Sequence, residues 1–391
     1  MNLNLQEVQE QLMAMKLDGW LLYDFQDLNP IARKLLGLQQ AMLTRRWFCW
    51  IPSHGPMTLL CHRIERQGFE QLPASTILFS SWEEMQAGLE HMLQGSKRLA
   101  MEYSPQCFIP YISRVDAGTL ELVRSLDKTV VSSADLVQYF EARWSQEQLQ
   151  SHLQASRLLM DVLSATFEQV RDASRNRIPL TEYQLQQSMC QRYREQGLES
   201  SSPPIVAVNQ NTGNPHYEPC SDASAPIREG DLLLIDFWAK LAKPNAVYAD
   251  YTWVAFLGDL VPAKILRVWD VVLEARDQTL EFVRSKTSQQ TAVRGWEVDE
   301  VARHVISRAG FGKYFIHRTG HSIGESDHGN GANMDGLETR DERLLIPYTC
   351  FSIEPGIYLP DFGIRSELNV YLDKPELLVT GDPIQQKIQR I

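Results

Sequence analysis

Three of the chain's nine histidines, His317, His321 and His328, fall within the stretch HRTGHSIGESDHGNG. Spacings of four and seven would align them on one helix face, but Gly320, Gly324, Gly329 and Gly331 make a continuous helix costly, so a loosened backbone is expected to carry these imidazoles. Four acids stand in apolar runs that should be strands: Asp236 in LLLIDFW, Asp250 in YADYTWVAF, Glu354 in FSIEPGIY and Glu367 in IRSELNVYL. Acids are disfavoured there. Strand alternation puts Asp250 on one face with Thr252 and Val254, and Glu367 on one face with Arg365 and Asn369, so each hairpin would present two carboxylates to one side. Converging carboxylates repel and lose solvation unless protonated, paired with Arg or bound to metal. Any one acid alone reads as a strand end or a wet face, whereas all four together read as a metal site. Oxygen ligands with one or two imidazoles suit Mn, Fe, Co or Zn in a two-metal arrangement.

The elements that must position these residues follow from pattern. The first part alternates β-type runs, LDGWLLYDF, RRWFCWIP, PMTLLCH, STILFS and RLAMEYS, with helical patterns such as SWEEMQAGLEHMLQ, which predicts an α/β domain. A long amphipathic stretch then begins at SQEQLQSHLQASRLLMDV, placing a boundary between residues 1–144 and 145–391. Within the second part the element order runs twice. Helical stretches at 146–172 and 181–197 lead into SPPIVAVN and the paired strands GDLLLIDFW and YADYTWVAF; stretches at 262–285 and 296–309 lead into YFIHRTGH, TCFSIEPGIY and GIRSELNVYL. Two ααββ units would join their sheets around a shared cleft.

Bulk properties bound the partners. The 391 residues carry 38 Lys and Arg against 49 Asp and Glu, a net charge of -11, which argues against nucleic acid or an anionic membrane as the main partner. The N-terminal MNLNLQEVQEQLMAMKLDGW lacks the pattern of a secretory leader, and no apolar run approaches a membrane span, so a cytoplasmic protein is expected. The six cysteines are scattered without a CxxC pair and read as small buried hydrophobes.

The ordered set PPIVAVN, PHYEP, Asp236, Asp250, HRTGHSIGESDH, FSIEPGIY and GIRSELNVYL resembles the pita-bread metallopeptidases, in the branch of aminopeptidase P and prolidase. The first 145 residues resemble, by pattern only, the smaller creatinase-like α/β domain of that family. The resemblance implies two divalent metal ions, with Mn or Co favoured and Zn or Fe admissible. Asp236 resembles the terminal ligand of one ion, Asp250 and Glu367 the bridging carboxylates, and His321 and Glu354 the ligands completing the second. Glu354 is similar to the acid that takes a proton from a water held between the ions. His328 resembles the histidine that steadies the tetrahedral intermediate, His216 its partner across the cleft, and His317 an outer histidine that touches either the substrate or the residues supporting the ligands. Arg365, and Thr252 on the face of Asp250, would support the ligand carboxylates. The implied reaction is hydrolysis of the Xaa-Pro bond of dipeptides or at the N-terminus of short peptides, by a homodimer or higher assembly.

Several positions depart from the family pattern. Trp238 stands where a glycine is usual, Trp253 where an arginine is common, and Gly329-Asn330-Gly331 follows His328 in place of an acid. Alternation points Trp253 away from Asp250 and leaves Trp238, which shares the parity of Asp236, to face the site. Because the same scaffold hosts other chemistry, a metal-dependent lyase or C–N hydrolase of a small zwitterion is the alternative activity. A catalytically dead binding module is the third, and none of the five ligand types is missing to favour it.

Overall fold

The computed structural model describes residues 4–373 and 375–391. The chain divides into two compact units, Met1–Glu141 and Ala142–Ile391, a division three residues before the one expected from the sequence.

The first unit holds helices α1 (Leu5–Ala14), α2 (Pro30–Leu36), α3 (Trp82–Met92), α4 (Ala117–Ser125) and α5 (Ala134–Val137). They accompany strands β1 (Gly19–Asp24), β2 (Trp47–Pro52), β3 (Met57–His62), β4 (Ala74–Phe79), β5 (Arg98–Met101) and β6 (Thr129–Ser132), which form a mixed sheet of order β4-β3-β2-β1-β5-β6. Helix α3 starts where its sequence dictates, with Ser81 and Glu84 closing a reciprocal cap on each other's backbone N–H groups. Strand β1 is buried on both faces: Trp20 and Leu22 join one apolar cluster, Leu21 and Tyr23 the other. A sheet covered on both sides explains why GWLLYD is apolar throughout rather than alternating. One acid is sealed into this unit. Glu102, fully buried, accepts from Trp20 Nε1 at 2.6 Å, Asn29 Nδ2 at 2.8 Å and Ser133 Oγ at 3.0 Å. Burial outweighs these bonds and pushes its carboxyl up to about 7.

The second unit begins with α6 (Gln146–Asn176) and α7 (Glu182–Glu195), each opened by a capping box, Ser145 with Gln148 and Thr181 with Gln184. Strands β7 (Leu198–Glu199), β8 (Ile205–Val208), β9 (Leu232–Leu241) and β10 (Ala249–Phe256) follow, then α8 (Ala263–Ser288) and α9 (Gly295–Arg308). The second pass ends in β11 (Ser322–Ile323), β12 (Cys350–Ile353), β13 (Gly356–Tyr358), β14 (Gly363–Arg365), β15 (Leu368–Asp373), β16 (Glu376–Thr380) and β17 (Gln389–Arg390). Helices α6 and α7 pack their apolar faces on β8, β9 and β10. Helix α8 packs on β12 and β15 through Leu280, Val283, Phe351, Ile353 and Leu368, and with α9 on Ile357 and Ile364 of the β13–β14 hairpin. The helices therefore cover the outside of each sheet and leave the inner faces to the acids.

One detail differs from expectation. TCFSIEPGIY and GIRSELNVYL are not one long hairpin but two: β12 pairs with β15 in one sheet and β13 with β14 in another. Pro355 has no N–H to continue the ladder, and the N–H of Glu354 turns aside to the carbonyl of Thr319 at 2.8 Å. The two sheets part at Glu354-Pro355 on one strand and Ser366-Glu367 on the other. Both acids thus sit at the fork, where no ladder claims the space around their side chains.

Candidate metal centre

The register of β9 and β10 sets Asp236 opposite Thr252 and Trp238 opposite Asp250, so all four side chains leave one face of the sheet. Trp253, of the other parity, packs on Phe167 of α6 with ring centroids 6.3 Å apart, while Trp238 packs half-buried against the apolar cluster that includes Ile323 and Cys350. Side-chain amides hold the two sheets together. Asn369 of β15 accepts the N–H of Asp250 at 3.0 Å and donates to its carbonyl at 2.7 Å, and Gln385 does the same for Val254 at 3.0 and 2.7 Å. Each amide imitates a missing strand neighbour and fixes β10 against the second pass. That brings Asp236, Asp250 and Glu367 together with ligand oxygens within 4.8 Å of one another. His321, Glu354 and Glu367 form a second such group.

His321 reaches this place because Gly320 lies against the backbone of Ser352; a Cβ there would stand 1.9 Å from the Ser352 carbonyl oxygen. The N–H of His321 donates to Ser352 Oγ at 2.9 Å, and its Nδ1 lies 3.2 Å from the carbonyl of Ser322. A carbonyl only accepts, so Nδ1 carries the proton and Nε2 presents a lone pair. Burial, with His328 and Arg318, holds the ring well below the usual histidine range, so it is neutral. Yet Nε2 faces Asp250 Oδ2 at 3.4 Å and Glu354 Oε1 at 3.6 Å, an acceptor aimed at two acceptors. The acids show the same frustration. Asp250 Oδ1 and Glu367 Oε1 are buried without a hydrogen-bond partner. Burial pushes both carboxyls well above the usual carboxylate range, each reinforced by neighbouring acids, Glu367 on Asp250 and Glu354 on Glu367. Glu354 is pushed up to about 7 by burial, against the pull of Arg365. Lone pairs converging on one space from four acids and a neutral imidazole fit divalent cations between them, which would satisfy the orphaned Asp250 Oδ1 and Glu367 Oε1.

The surrounding hydrogen bonds have determined directions. His317 Nδ1 lies 2.6 Å from the carbonyl of Arg318, so it donates, and Nε2 must accept from Tyr358 Oη at 2.7 Å. Tyr358 Oη in turn accepts from Arg365 Nη1 at 3.1 Å. Arg365 also pairs with Asp236 and donates through Nε to Thr252 Oγ1 at 2.9 Å. With its oxygen accepting, the Thr252 hydroxyl has one proton to give, and Glu367 Oε2 at 2.8 Å is nearer than Asp236 Oδ1 at 3.0 Å. A chain of hydrogen bonds therefore links the His317 ring to a carboxylate of the cluster, with Arg365 donating toward both ends. Arg365 serves Asp236 across the sheets rather than Glu367, its neighbour on the same strand run.

His328 stands at the mouth of the cluster with its side chain 55% exposed, its ring 4.2 Å from that of His321. Arg318 Nη2 approaches its Nδ1 at 3.4 Å, which leaves the proton of the neutral ring on Nε2. The enclosing protein, then Arg318 and His216, push it down to about 4. His216 is exposed on the loop between β8 and β9. That loop is tied down by Glu182, in the first turn of α7 and fully buried. Its carboxylate accepts from Val208 N at 2.7 Å, Asn211 Nδ2 at 3.0 Å, Tyr217 Oη at 2.7 Å and Ala225 N at 2.9 Å.

The sequence singled out Asp236, Asp250, His321, Glu354 and Glu367, and the fold brings all five together with Thr252 and Arg365. Among the described residues His317 is linked to the cluster through Tyr358 and Arg365, and His216 lies exposed on its loop. Tyr358, Ser352, Arg318, Glu182 and Asp327 were not singled out. For Tyr358 a signal existed, since an aromatic hydroxyl beside the acid-bearing EPG turn has a polar end to satisfy.

Comparison with known proteins agrees with this geometry. Residues 150–374 match the model of metallopeptidase family M24. The chain belongs to that family. An Xaa-Pro dipeptidase of Lactobacillus helveticus is 33% identical over 164 residues, 42% of this chain and 40% of the relative. Matches of this kind span 40% to 49% of the curated relatives' own length. Among solved structures, the dipeptidase PepE of Mycobacterium ulcerans covers 99% of this chain and 96% of its own at 20% identity and a TM-score of 0.72. The X-Pro aminopeptidase of Thermotoga maritima covers 98% and 99% at 22% identity and a TM-score of 0.60. This M24 chain thus has the pita-bread fold with an N-terminal α/β domain, as the sequence resemblance implied.

Proposed function

We propose that this M24 protein is a dinuclear metal-dependent peptidase that hydrolyses the Xaa-Pro bond of short peptides. Support comes chiefly from the neutral Nε2 of His321 facing Asp250 and Glu354, a lone pair and two acids arranged to share cations. Two divalent ions, Mn or Co, would be held by Asp236, Asp250, His321, Glu354 and Glu367. They would supply Lewis acidity that polarises the scissile carbonyl and lowers the pKa of water.

The chain's own residues do the rest. Glu354 accepts the proton of the attacking water. His328, protonated on Nε2, donates to the oxygen of the tetrahedral intermediate, and its neutral state costs no counter-charge in the cleft. His317, with both ring nitrogens engaged by Arg318 and Tyr358, acts on the site through Tyr358 and Arg365, and His216, exposed on the loop that Glu182 anchors, is free to meet a bound peptide. Proline after the scissile bond presents a tertiary amide without N–H, so recognition falls to shape and to contacts on the carbonyl rather than to an amide donor. A homodimer in the cytoplasm belongs to the same proposal.

The test is a panel of Xaa-Pro and Xaa-Ala dipeptides and tripeptides with Mn or Co. Xaa-Pro peptides should be cleaved at least about tenfold faster, near 1.4 kcal/mol of discrimination. Equal rates, or no cleavage by fully metallated protein, would move the proposal to a lyase or C–N hydrolase.

A further inference from the structure

Asp327 precedes His328 in a loop that returns over the cluster. The N–H of Gly329 donates to the carbonyl of Ser322 at 2.7 Å and that of Gly324 to the carbonyl of Ser326 at 3.1 Å, which folds residues 322–329 into a tight reversal. The reversal is pinned to the first pass: Tyr248 N donates to the Gly324 carbonyl at 2.9 Å and Lys240 Nζ to the Glu325 carbonyl at 2.7 Å. Asp327 is thereby held above Asp250. A carboxylate oxygen of Asp327, one of Asp250 and a ring nitrogen of His321 all lie within 4.8 Å of one another.

Two further observations point to a cation there. Asp327 Oδ1 is buried and has no hydrogen-bond partner, although the side chain as a whole is 20% exposed, and Asp250 Oδ1, on a residue 5% exposed, is in the same condition. The adjacent imidazole does not satisfy the acid either, since His328 Nε2 stands 3.8 Å from Asp327 Oδ2, too far for a hydrogen bond.

We propose that Asp327 is a sixth metal-ligating side chain, sharing a divalent cation with Asp250 and His321. The proposal rests on the dinuclear reading above. An added oxygen donor makes that site harder and favours Mn over softer ions.

The experiment is calorimetric titration of the full metal-free chain with Mn(II), with bound metal counted by elemental analysis, for wild type, D327N and D250N. Two ions bound by wild type, with one site weakened at least tenfold in D327N, is the expected result. Metal-free D327N should unfold at the same temperature as metal-free wild type or higher, because one buried charge has left an acidic cluster. Two ions bound by D327N with wild-type affinity would overturn the assignment; if KM for peptides rises in that variant, Asp327 instead accepts the substrate's ammonium. A lower unfolding temperature of metal-free D327N would also overturn it, marking a structural side chain. Absence of metal binding by wild type would instead defeat the dinuclear reading itself.

Discussion

Tyr358 Oη donates to His317 Nε2 at 2.7 Å while accepting from Arg365 at 3.1 Å, so one phenol fixes both a histidine of the cleft and the arginine that pairs with Asp236. Burial pushes the phenol far above its ordinary range, and it stays protonated as that donor. Tyr358→Phe removes both bonds and leaves His317 Nε2 and an Arg365 N–H unsatisfied. Stability should fall by about 1–3 kcal/mol, the cost of orphaned buried polar groups. Metal content should be unchanged and kcat lower by roughly tenfold or more, as thermal unfolding, elemental analysis and steady-state kinetics on one variant would show. Lost metal in Tyr358→Phe would mean that the chain also holds the ligands.

Asp250→Ala and Glu367→Ala should each abolish activity and lower metal content, because each acid belongs to a ligand group with the other and leaves an oxygen for a cation to claim. Near-normal turnover with two bound ions in either variant would defeat their assignment.

His328→Ala should act on the reaction alone. Its ring is half exposed and protonated on Nε2, placed to donate rather than to ligate. Metal content should match wild type while kcat falls roughly 10²-fold or more, the scale of one lost donor at a developing oxyanion. Loss of an ion would move His328 into the ligand set.

Glu102 and His152 should contribute to the pH dependence of stability with opposite signs. Glu102 has its folded pKa raised from 4.5 to about 7, so its stabilisation is fully present below the unfolded value and is lost as pH rises through 7. His152 in the second unit donates from Nδ1 to the Tyr248 carbonyl at 2.7 Å and accepts from Thr380 at 2.7 Å. Burial pushes it down from 6.5 to about 4, so its contribution is present above 6.5 and is lost as pH falls through 4. In E102Q the decline in stability between pH 4.5 and 7 should flatten, by a few kcal/mol across that window. Identical pH dependence of unfolding in E102Q and wild type would refute the role of this carboxyl.

Much of the centre was legible because acids in apolar strands have few innocent explanations. Asp236, Asp250, Glu354 and Glu367 each break a local rule, and only tertiary convergence makes that tolerable. Element order was legible for a related reason, since amphipathic period and capping residues such as Ser145 and Thr181 are local properties. The residues that escaped obey their local rules. Tyr358 reads as a strand aromatic and Glu182 as a helix-start acid, and their partners lie across the fold or along a loop that no local pattern specifies. The division of GIRSELNVYL between two sheets was illegible too, because its apolar period runs on through the break.

The carboxylate of Glu182 carries a consequence for the order of events in catalysis. Four donors from residues 208–225 converge on it, and Gly363 N donates to Thr212 Oγ1 at 2.7 Å, so the shape of that loop is set by a helix end and the β13–β14 hairpin rather than by the acids of the cluster. The peptide would meet a wall already in place before any ion arrives, and loading of the centre and docking of substrate become separable steps. Amide exchange at Val208 and Ala225, slow in metal-free and metal-loaded protein alike, would be the mark of a receptor assembled ahead of its chemistry.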